Sequence, residues 1–221
     1  MLSSSKNAIH LFDCDGVILN SNELKIKALE YSLEAVGCPT KFIIWAIHKF
    51  RLNFGQTRSM HFKFFEENNP FNKFKFTPEM SIKALKLYGE QVMSLYFECE
   101  IIEETYAYLL ELPSNQPIFV VSASDQEELK SILPNRIPKM ASTNIFGGPT
   151  GKVENIRYIL DTFGYEGAVM YGDSVKDGLA AAANDIHFCG LTKYSADPKS
   201  LVSYCKENNS NVYEHCLQIS L

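Results

Sequence analysis

The sequence has no apolar stretch long enough to span a bilayer and no paired-cysteine motif. Its first apolar run, residues 8–12, is far shorter than the hydrophobic region of a signal peptide. Six cysteines are scattered along 221 residues without a CxxC pair, and the five histidines do not cluster with them. This usage is typical of free thiols in a reducing compartment and not of a disulfide framework or a zinc site. We therefore expect a cytoplasmic protein with no membrane partner.

The chain also lacks an excess of basic residues. Its formal net charge is -5 and its pI is about 5.6, so it has no electrostatic reason to bind nucleic acid. Hydrophobic residues make up 46% of the sequence, which is enough for a globular core. No internal repeat or low-complexity tract is present, and no pattern indicates an oligomeric state.

Strand patterns are missing from residues 20–101, where four stretches with helical features occur instead (23–36, 40–53, 57–67 and 78–99). On either side, short apolar runs at 8–12, 118–121 and 168–171 alternate with helical segments. Ser124 or Asp125 is expected to cap the helix after the second run, and residues 186–189 are expected to form the last strand. Strands that alternate with helices favour a parallel sheet. We predict an α/β fold with a Rossmann-like core (1–18 and 100–221) and an inserted α-helical cap (19–99).

Polar side chains follow three of the predicted strands at the point where each strand ends. Asp13 and Asp15 follow the first, Ser122 the second, and Asp173 the strand at 168–171. In open parallel sheets, ligands bind in the crevice outside the carboxyl ends of the strands. Asp177 lies one helical turn beyond Asp173, so it can face the same crevice. Lys152, after a glycine-rich turn, is placed to add a positive charge.

Clustered carboxylates raise one another's pKa unless a cation neutralises them, and oxygen ligands favour Mg²⁺. One carboxylate can attack phosphorus to form an aspartyl-phosphate, and a second can protonate the leaving oxygen and then activate water. A hydroxyl, an ammonium and backbone N–H groups can hold the remaining phosphate oxygens. The pattern therefore predicts a magnesium-dependent phosphomonoester hydrolase acting on a small phosphorylated metabolite.

Four segments, in order, resemble the motifs of the haloacid dehalogenase-like hydrolase superfamily: residues 12–18 with Ser21, residues 121–122, Lys152, and residues 172–174 with Asp177. The resemblance extends from about residue 9 to residue 191 and implies an α-helical cap over a Rossmann-like core. It implies that Asp13 is the nucleophile and Asp15 the general acid/base. It further implies three roles: Mg²⁺ ligands (Asp13, the backbone carbonyl of Asp15, Asp173, Asp177), a phosphate-binding pair (Ser122, Lys152), and a cap segment at residues 55–58. The full substrate-binding set that we predict is Ser122, Ala123, Lys152 and Arg58.

The sequence also allows other interpretations of its function. Members that cleave carbon–halogen bonds have no acid at the position of Asp15, so this residue favours phosphoryl transfer. Phosphonate-cleaving relatives need a cap lysine, for which the sequence offers four candidates (Lys25, Lys27, Lys41, Lys49). A phosphosugar mutase would share the same chemistry. A signalling receiver, phosphorylated on aspartate without turnover, belongs to another class, but receivers are shorter and lack a helical insertion.

Overall fold

The structure, a computed structural model, describes residues 8–137, 139–164 and 167–219. The strands are β1 (Ala8–Phe12), β2 (Ile118–Asp125), β3 (Ile145–Gly148), β4 (Gly167–Gly172), β5 (His187–Leu191) and β6 (Asn211–Tyr213). The helices are α1 (Asn22–Ala35), α2 (Thr40–Leu52), α3 (Arg58–Glu67), α4 (Pro78–Glu98), α5 (Glu103–Glu111), α6 (Gln126–Arg136), α7 (Lys152–Phe163), α8 (Val175–Ala182) and α9 (Pro198–Glu207).

The six strands form one parallel sheet in the order β3-β2-β1-β4-β5-β6. Phe12, the last residue of β1, lies level with Val120 on one side and Tyr171 on the other. The backbone N–H of Asp13 continues this register by donating to the Tyr171 carbonyl oxygen at 2.9 Å. Because the strands are parallel, the residues at the carboxyl ends of β1, β2 and β4 meet at one edge of the sheet, as predicted.

Helices cover both faces of the sheet. Ile9 and Leu11 are fully buried in a cluster that includes Ile156 and Ile159 of α7. Phe12 points to the opposite face, where its ring lies 4.5 Å from that of Tyr171. This alternation follows from the two-residue period of a strand, and burial on both faces explains why the strand runs are almost continuously apolar.

Helices α1 to α4 lie between β1 and α5 in the chain, and we call them the insertion. Thr77 begins α4 as its N-cap by accepting a hydrogen bond from the Met80 N–H, with Pro78 in the first turn. The aromatic residues around Phe42, Trp45 and Phe65 pack on one another inside the insertion. The connections at its two ends are paired, since the Asn20 N–H donates to the Glu100 carbonyl oxygen at 2.9 Å.

The structure confirms the α/β class, differs from the sequence predictions in two places, and identifies which of the two predicted residues caps α6. Strand β2 continues to Asp125 because, beyond an irregularity in register, it pairs again with β3. Asp125, and not Ser124, caps α6 by accepting from the N–H groups of Glu127 and Glu128. The prediction that residues 186–189 form the last strand was wrong, because α9 and β6 follow.

Strand β6 is only three residues long and its first two residues are exposed, so it carries no apolar pattern that could have revealed it. No helix in the described part of the chain is both long and apolar enough to cross a membrane. All six cysteines are buried and free of disulfide bonds.

Candidate active site

Asp13 lies at the centre of the site, directly after β1 and 4% exposed. Its Oδ1 accepts a hydrogen bond from the Cys14 backbone N–H at 2.7 Å and lies 2.8 Å from the Lys152 Nζ. Its Oδ2 accepts no hydrogen bond from any residue that the structure describes. One carboxylate oxygen is therefore fixed and the other remains available to an incoming group.

Lys152 is the first residue of α7, and its side chain is almost fully buried. Its ammonium group lies between the carboxylates of Asp13 and Asp177 and binds both. These two negative charges raise the pKa of Lys152 against the opposing effect of its burial, so the ammonium form is retained. A lysine in a first turn opposes the helix dipole, and the two carboxylates account for its presence here.

Asp177 lies in the first turn of α8 and is fully buried. While Oδ1 binds Lys152, Oδ2 accepts from the backbone N–H of Ser174 at 3.1 Å and from its hydroxyl at 2.6 Å. Asp177 therefore also caps its own helix. With both oxygens occupied in this way, it holds Lys152 in place and lies at the margin of the acidic cluster.

Asp173 follows β4 and is buried beneath the loop after β1. Its Oδ2 accepts from Asn22 Nδ2 at 2.7 Å, while Asn22 also donates to the Tyr194 carbonyl oxygen at 3.0 Å. Gly16 has φ of 76°, and a Cβ at this position would lie 2.2 Å from Asp173 Oδ2. Glycine is therefore required both by the backbone conformation and by the close approach to the carboxylate.

Asp13, Asp173 and Asp177 each offer a carboxylate oxygen within 4.8 Å of the others. Burial is the largest effect on Asp13 and raises its pKa to about 7, with Lys152 partly opposing this and Asp177 and Asp15 adding to it. Burial, with the charges of Asp13 and Asp177, also raises the pKa of Asp173. Since one lysine does not neutralise three buried carboxylates, this donor set fits a hard divalent cation such as Mg²⁺.

The Asp15 carboxylate points away from this cluster and toward the insertion. Oδ1 accepts from the Ser21 and Tyr96 hydroxyls at 2.5 and 2.7 Å. Oδ2 lies 2.6 Å from Lys25 Nζ and accepts from the Ser124 hydroxyl at 2.8 Å. Burial acts to raise the pKa of Asp15, but Lys25 and these hydrogen bonds outweigh it and lower the pKa to about 2. Asp15 is therefore ionised in this arrangement.

The three residues after the apolar part of β2 differ in their access to the site. Ala123 and Ser124 line the pocket above Asp13. Ser122 is fully buried behind them, where its hydroxyl accepts from the Ser124 N–H at 3.1 Å and lies 3.5 Å from Asp15 Oδ2. Ser122 is therefore within the predicted cluster but in a supporting position.

Arg58 begins α3, and its guanidinium group lies on the pocket wall. It forms a bidentate ion pair with Glu128 of α6, in which Nη1 donates to Oε1 at 2.8 Å and Nη2 binds Oε2. The guanidinium carbon also lies 5.6 Å from the centre of the Tyr88 ring. The predicted substrate-binding arginine therefore lies at the pocket with its charge already matched by a carboxylate.

The pocket is bounded by Asp13, Asp173 and Lys152 below and by insertion residues above, including Phe50, Phe54, Gln56, His61 and Tyr88. Its free volume is about 30 Å³, well below the roughly 300–1,000 Å³ of pockets that enclose small-molecule ligands.

Sequence analysis missed several residues that contact the acidic side chains of the site. Tyr96, Asn22 and Ser124 were not predicted as site residues, and Lys25 was considered only as one of four lysines for a phosphonate-cleaving reaction. The positions of these residues along the chain do not indicate that they contact the acidic side chains. Asn22 is the exception, because it directly follows the first motif. Of the four lysines, Lys25 lines the pocket, but Asp15 and Ser124 engage its ammonium group.

The chain is similar to known proteins in sequence and in fold. The sequence model of the family described as "Haloacid dehalogenase-like hydrolase" matches residues 10–191. The chain therefore belongs to the haloacid dehalogenase-like hydrolases. None of the curated proteins compared with the chain matches it.

Similar solved structures share the fold. A haloacid dehalogenase-like hydrolase from Streptococcus pneumoniae is 20% identical with a TM-score of 0.71, and 94% of this chain and 93% of that chain are covered. A predicted phosphatase from Clostridium acetobutylicum is 22% identical with a TM-score of 0.70, covering 96% and 94%. A predicted phosphoglycolate phosphatase from Haemophilus somnus is 15% identical with a TM-score of 0.68, covering 86% and 87%.

Proposed function

We propose that this hydrolase cleaves phosphomonoesters of small metabolites, with Asp13 as the nucleophile. The observation that carries the proposal is the convergence of Asp13, Lys152, Asp173 and Asp177 at the carboxyl edge of the sheet, with one Asp13 oxygen available. The phosphatases among the similar structures support the same reaction class without defining a substrate.

Lys152 and the neighbouring Cys14 N–H orient the nucleophile. Asp13 Oδ2 attacks phosphorus, and the bond from phosphorus to the ester oxygen breaks as the aspartyl-phosphate forms. Asp15 gives its proton to the leaving oxygen, then takes a proton from the water that attacks the aspartyl-phosphate. Free phosphate leaves and the Asp13 carboxylate is regenerated. We expect Lys152, Ser124 and the backbone near the end of β2 to bind phosphate oxygens, with Ser122 supporting them and Ala123 lining the site.

Asp13 and Asp173 would hold Mg²⁺, with the Asp15 carbonyl as a further ligand and Asp177 at the margin. A bound Mg²⁺ supplies charge neutralisation for the buried carboxylates and for the phosphoryl group.

Asp15 must carry a proton to act as the acid. In the observed arrangement the Lys25 ammonium group at 2.6 Å favours the ionised form. We propose that Lys25, which belongs to α1 of the insertion, withdraws from Asp15 when the insertion moves. Protonation of Asp15 then becomes coupled to the same motion that admits the substrate.

We also propose that residues 19–99 form a cap over a core of residues 1–18 and 100–221, of which residues 1–7, 138, 165–166 and 220–221 lie outside the described part. A cap that closes over the site excludes bulk water and selects substrates. The six free thiols support a cytoplasmic location for the enzyme.

The test is a phosphate-release screen over metabolite esters with Mg²⁺, comparing the wild type with Asp13→Asn and Asp161→Asn. Asp161 is an exposed carboxylate on α7, so its variant controls for the charge change. We expect Mg²⁺-dependent release by the wild type and by Asp161→Asn, and none by Asp13→Asn. Equal release by all three proteins would remove Asp13 as the nucleophile. Isomerised ester without free phosphate would identify a mutase, and a stable phosphoprotein without turnover would identify a receiver.

A further inference from the structure

The pocket wall that faces the acidic cluster is aromatic and carries few charges. Phe50, Phe54 and Tyr88 form much of it. Burial, with a smaller effect from Lys25, lowers the pKa of His61 to about 3, so this imidazole is neutral near pH 7. Among the described residues that line the pocket, the cations are Lys25, Arg58 and Lys152, and each one is paired with a carboxylate.

The Arg58–Glu128 pair is the most informative of these contacts because it lies away from the reacting atoms. Both guanidinium nitrogens that face Glu128 bind it, in the fork geometry that gives the strongest pairing between arginine and carboxylate. The two side chains are only 21% and 18% exposed, so solvent screens the pair weakly.

The surroundings of Arg58 fit this arrangement closely. Tyr88 packs against the guanidinium group. The next residue on α4, Gly89, leaves the space that Arg58 Nη1 occupies, since a Cβ there would lie 2.7 Å from that nitrogen. A glycine inside a helix is less favourable than alanine. The glycine at position 89 is therefore consistent with an Arg58 guanidinium group that is held in one place.

These ion pairs also determine the balance of charge around the pocket. Around the pocket, the carboxylates of Asp13, Asp15, Asp173, Asp177 and Glu128 outnumber the three cations, and a divalent cation would offset the difference. The phosphoryl group then brings its own negative charge. A second anion on the leaving group would meet an arginine that is already neutralised, and it would be desolvated among aromatic side chains without a free counter-charge.

We infer that the substrate is the phosphate ester of an uncharged alcohol, and that Glu128 enforces this choice by occupying Arg58. The inference rests on the proposed phosphomonoesterase activity and adds the substrate class. Glu128 lies behind the pocket wall and acts through Arg58, so its role is to set specificity.

Two matched pairs of esters test this inference. Sorbitol 6-phosphate and 6-phosphogluconate differ in one terminal carboxylate, as do 2-hydroxyethyl phosphate and phosphoglycolate. The measured quantity is the ratio of kcat/KM between the neutral and the anionic member, which does not depend on how much of each preparation is folded. For the wild type, we expect the neutral member to be preferred at least tenfold in each pair that is hydrolysed.

Glu128→Gln releases Arg58, so we expect the ratio to fall at least tenfold through a higher kcat/KM for the anionic member. Adding Arg58→Met to Glu128→Gln should restore the preference for the neutral member, because the released cation is then gone. Glu127→Gln changes the same charge at an exposed neighbouring position on α6 and should leave the ratio unchanged.

A wild-type preference for the anionic members would overturn the inference while leaving the phosphatase proposal intact. An unchanged ratio in Glu128→Gln would also overturn it. Absence of phosphate release from every ester in the broad screen would instead overturn the proposed function itself.

Discussion

Replacing Asp13 by asparagine should make the metal-free protein more stable while it abolishes turnover. Burial raises the pKa of Asp13 to about 7, although Lys152 partly opposes the shift. At neutral and alkaline pH this buried carboxylate is therefore ionised in the folded protein, and its burial lowers the free energy of unfolding. Asparagine has nearly the same shape and carries no charge, so this unfavourable contribution disappears.

The dependence on pH follows from linkage. In the unfolded chain the carboxyl group titrates near 3.8, so the folded protein holds an extra proton between that pH and about 7. The resulting stabilisation is fully present below pH 3.8 and is lost as the pH rises through about 7. A pKa change from 3.8 to about 7 corresponds to about 4 kcal/mol in the free energy of unfolding.

The assay is urea denaturation in EDTA from pH 4 to pH 8.5. The wild type and Asp13→Asn should be about equally stable at pH 4, and the variant should be more stable by about 4 kcal/mol at pH 8 and above. Asp161→Asn, at an exposed position, should follow the wild type at every pH. An Asp13→Asn protein that is less stable than the wild type at pH 8, or a difference that does not change with pH, would refute the reasoning.

Two further predictions concern the neighbouring charges. Mg²⁺ at 100 times its dissociation constant should raise the free energy of unfolding by about 2.7 kcal/mol, or Tm by roughly 5–10 °C, in the wild type and Asp161→Asn. Thermal denaturation of Asp173→Asn should show little of this gain, and an undiminished gain would place the ion elsewhere. Lys25→Met should lower the free energy of unfolding at pH 7 by about 2 kcal/mol in urea denaturation, whereas the exposed Lys27→Met should not. The reason is that the pKa of Asp15 is lowered to about 2, so its ionised form stabilises the folded protein. This stabilisation is present above pH 3.8 and is lost as the pH falls through about 2. An unchanged free energy of unfolding in Lys25→Met would contradict the Lys25–Asp15 pair.

The acidic cluster was predictable from sequence because a parallel sheet imposes its geometry. Once residues 8–12 and 168–171 are read as strands of one parallel sheet, Asp13 and Asp173 must end at the same edge, whatever the intervening sequence does. The observed register agrees with this, because Phe12 lies level with Tyr171 at the ends of the two paired strands. The turn after β3 then sends Lys152 into the same crevice at the start of α7.

The contacts from the insertion could not be predicted in the same way. Lys25 and Tyr96 lie on α1 and α4, and their positions at the site depend on how those helices pack against the sheet. Helical periodicity indicates which face of a helix is apolar, but it does not give the orientation of one layer on another. The same limit applies to Glu128, whose pairing with Arg58 joins α6 to α3 across the pocket. Strand β6 was missed because sheet pairing, and not an apolar pattern, defines it.

The contacts that close the insertion over the sheet also determine the charge state of the site. Lys25 and Arg58 belong to the insertion, while their partners Asp15 and Glu128 follow β1 and lie on α6. Movement of the insertion away from the sheet would therefore expose the pocket, release Asp15 from its cation and free Arg58 at the same time. If the insertion closes again on a bound substrate, the Arg58–Glu128 pair would re-form only when the leaving group does not compete for the arginine. An uncharged leaving group meets that condition, so we expect the selection of substrate and the energetics of closure to depend on the same ion pair.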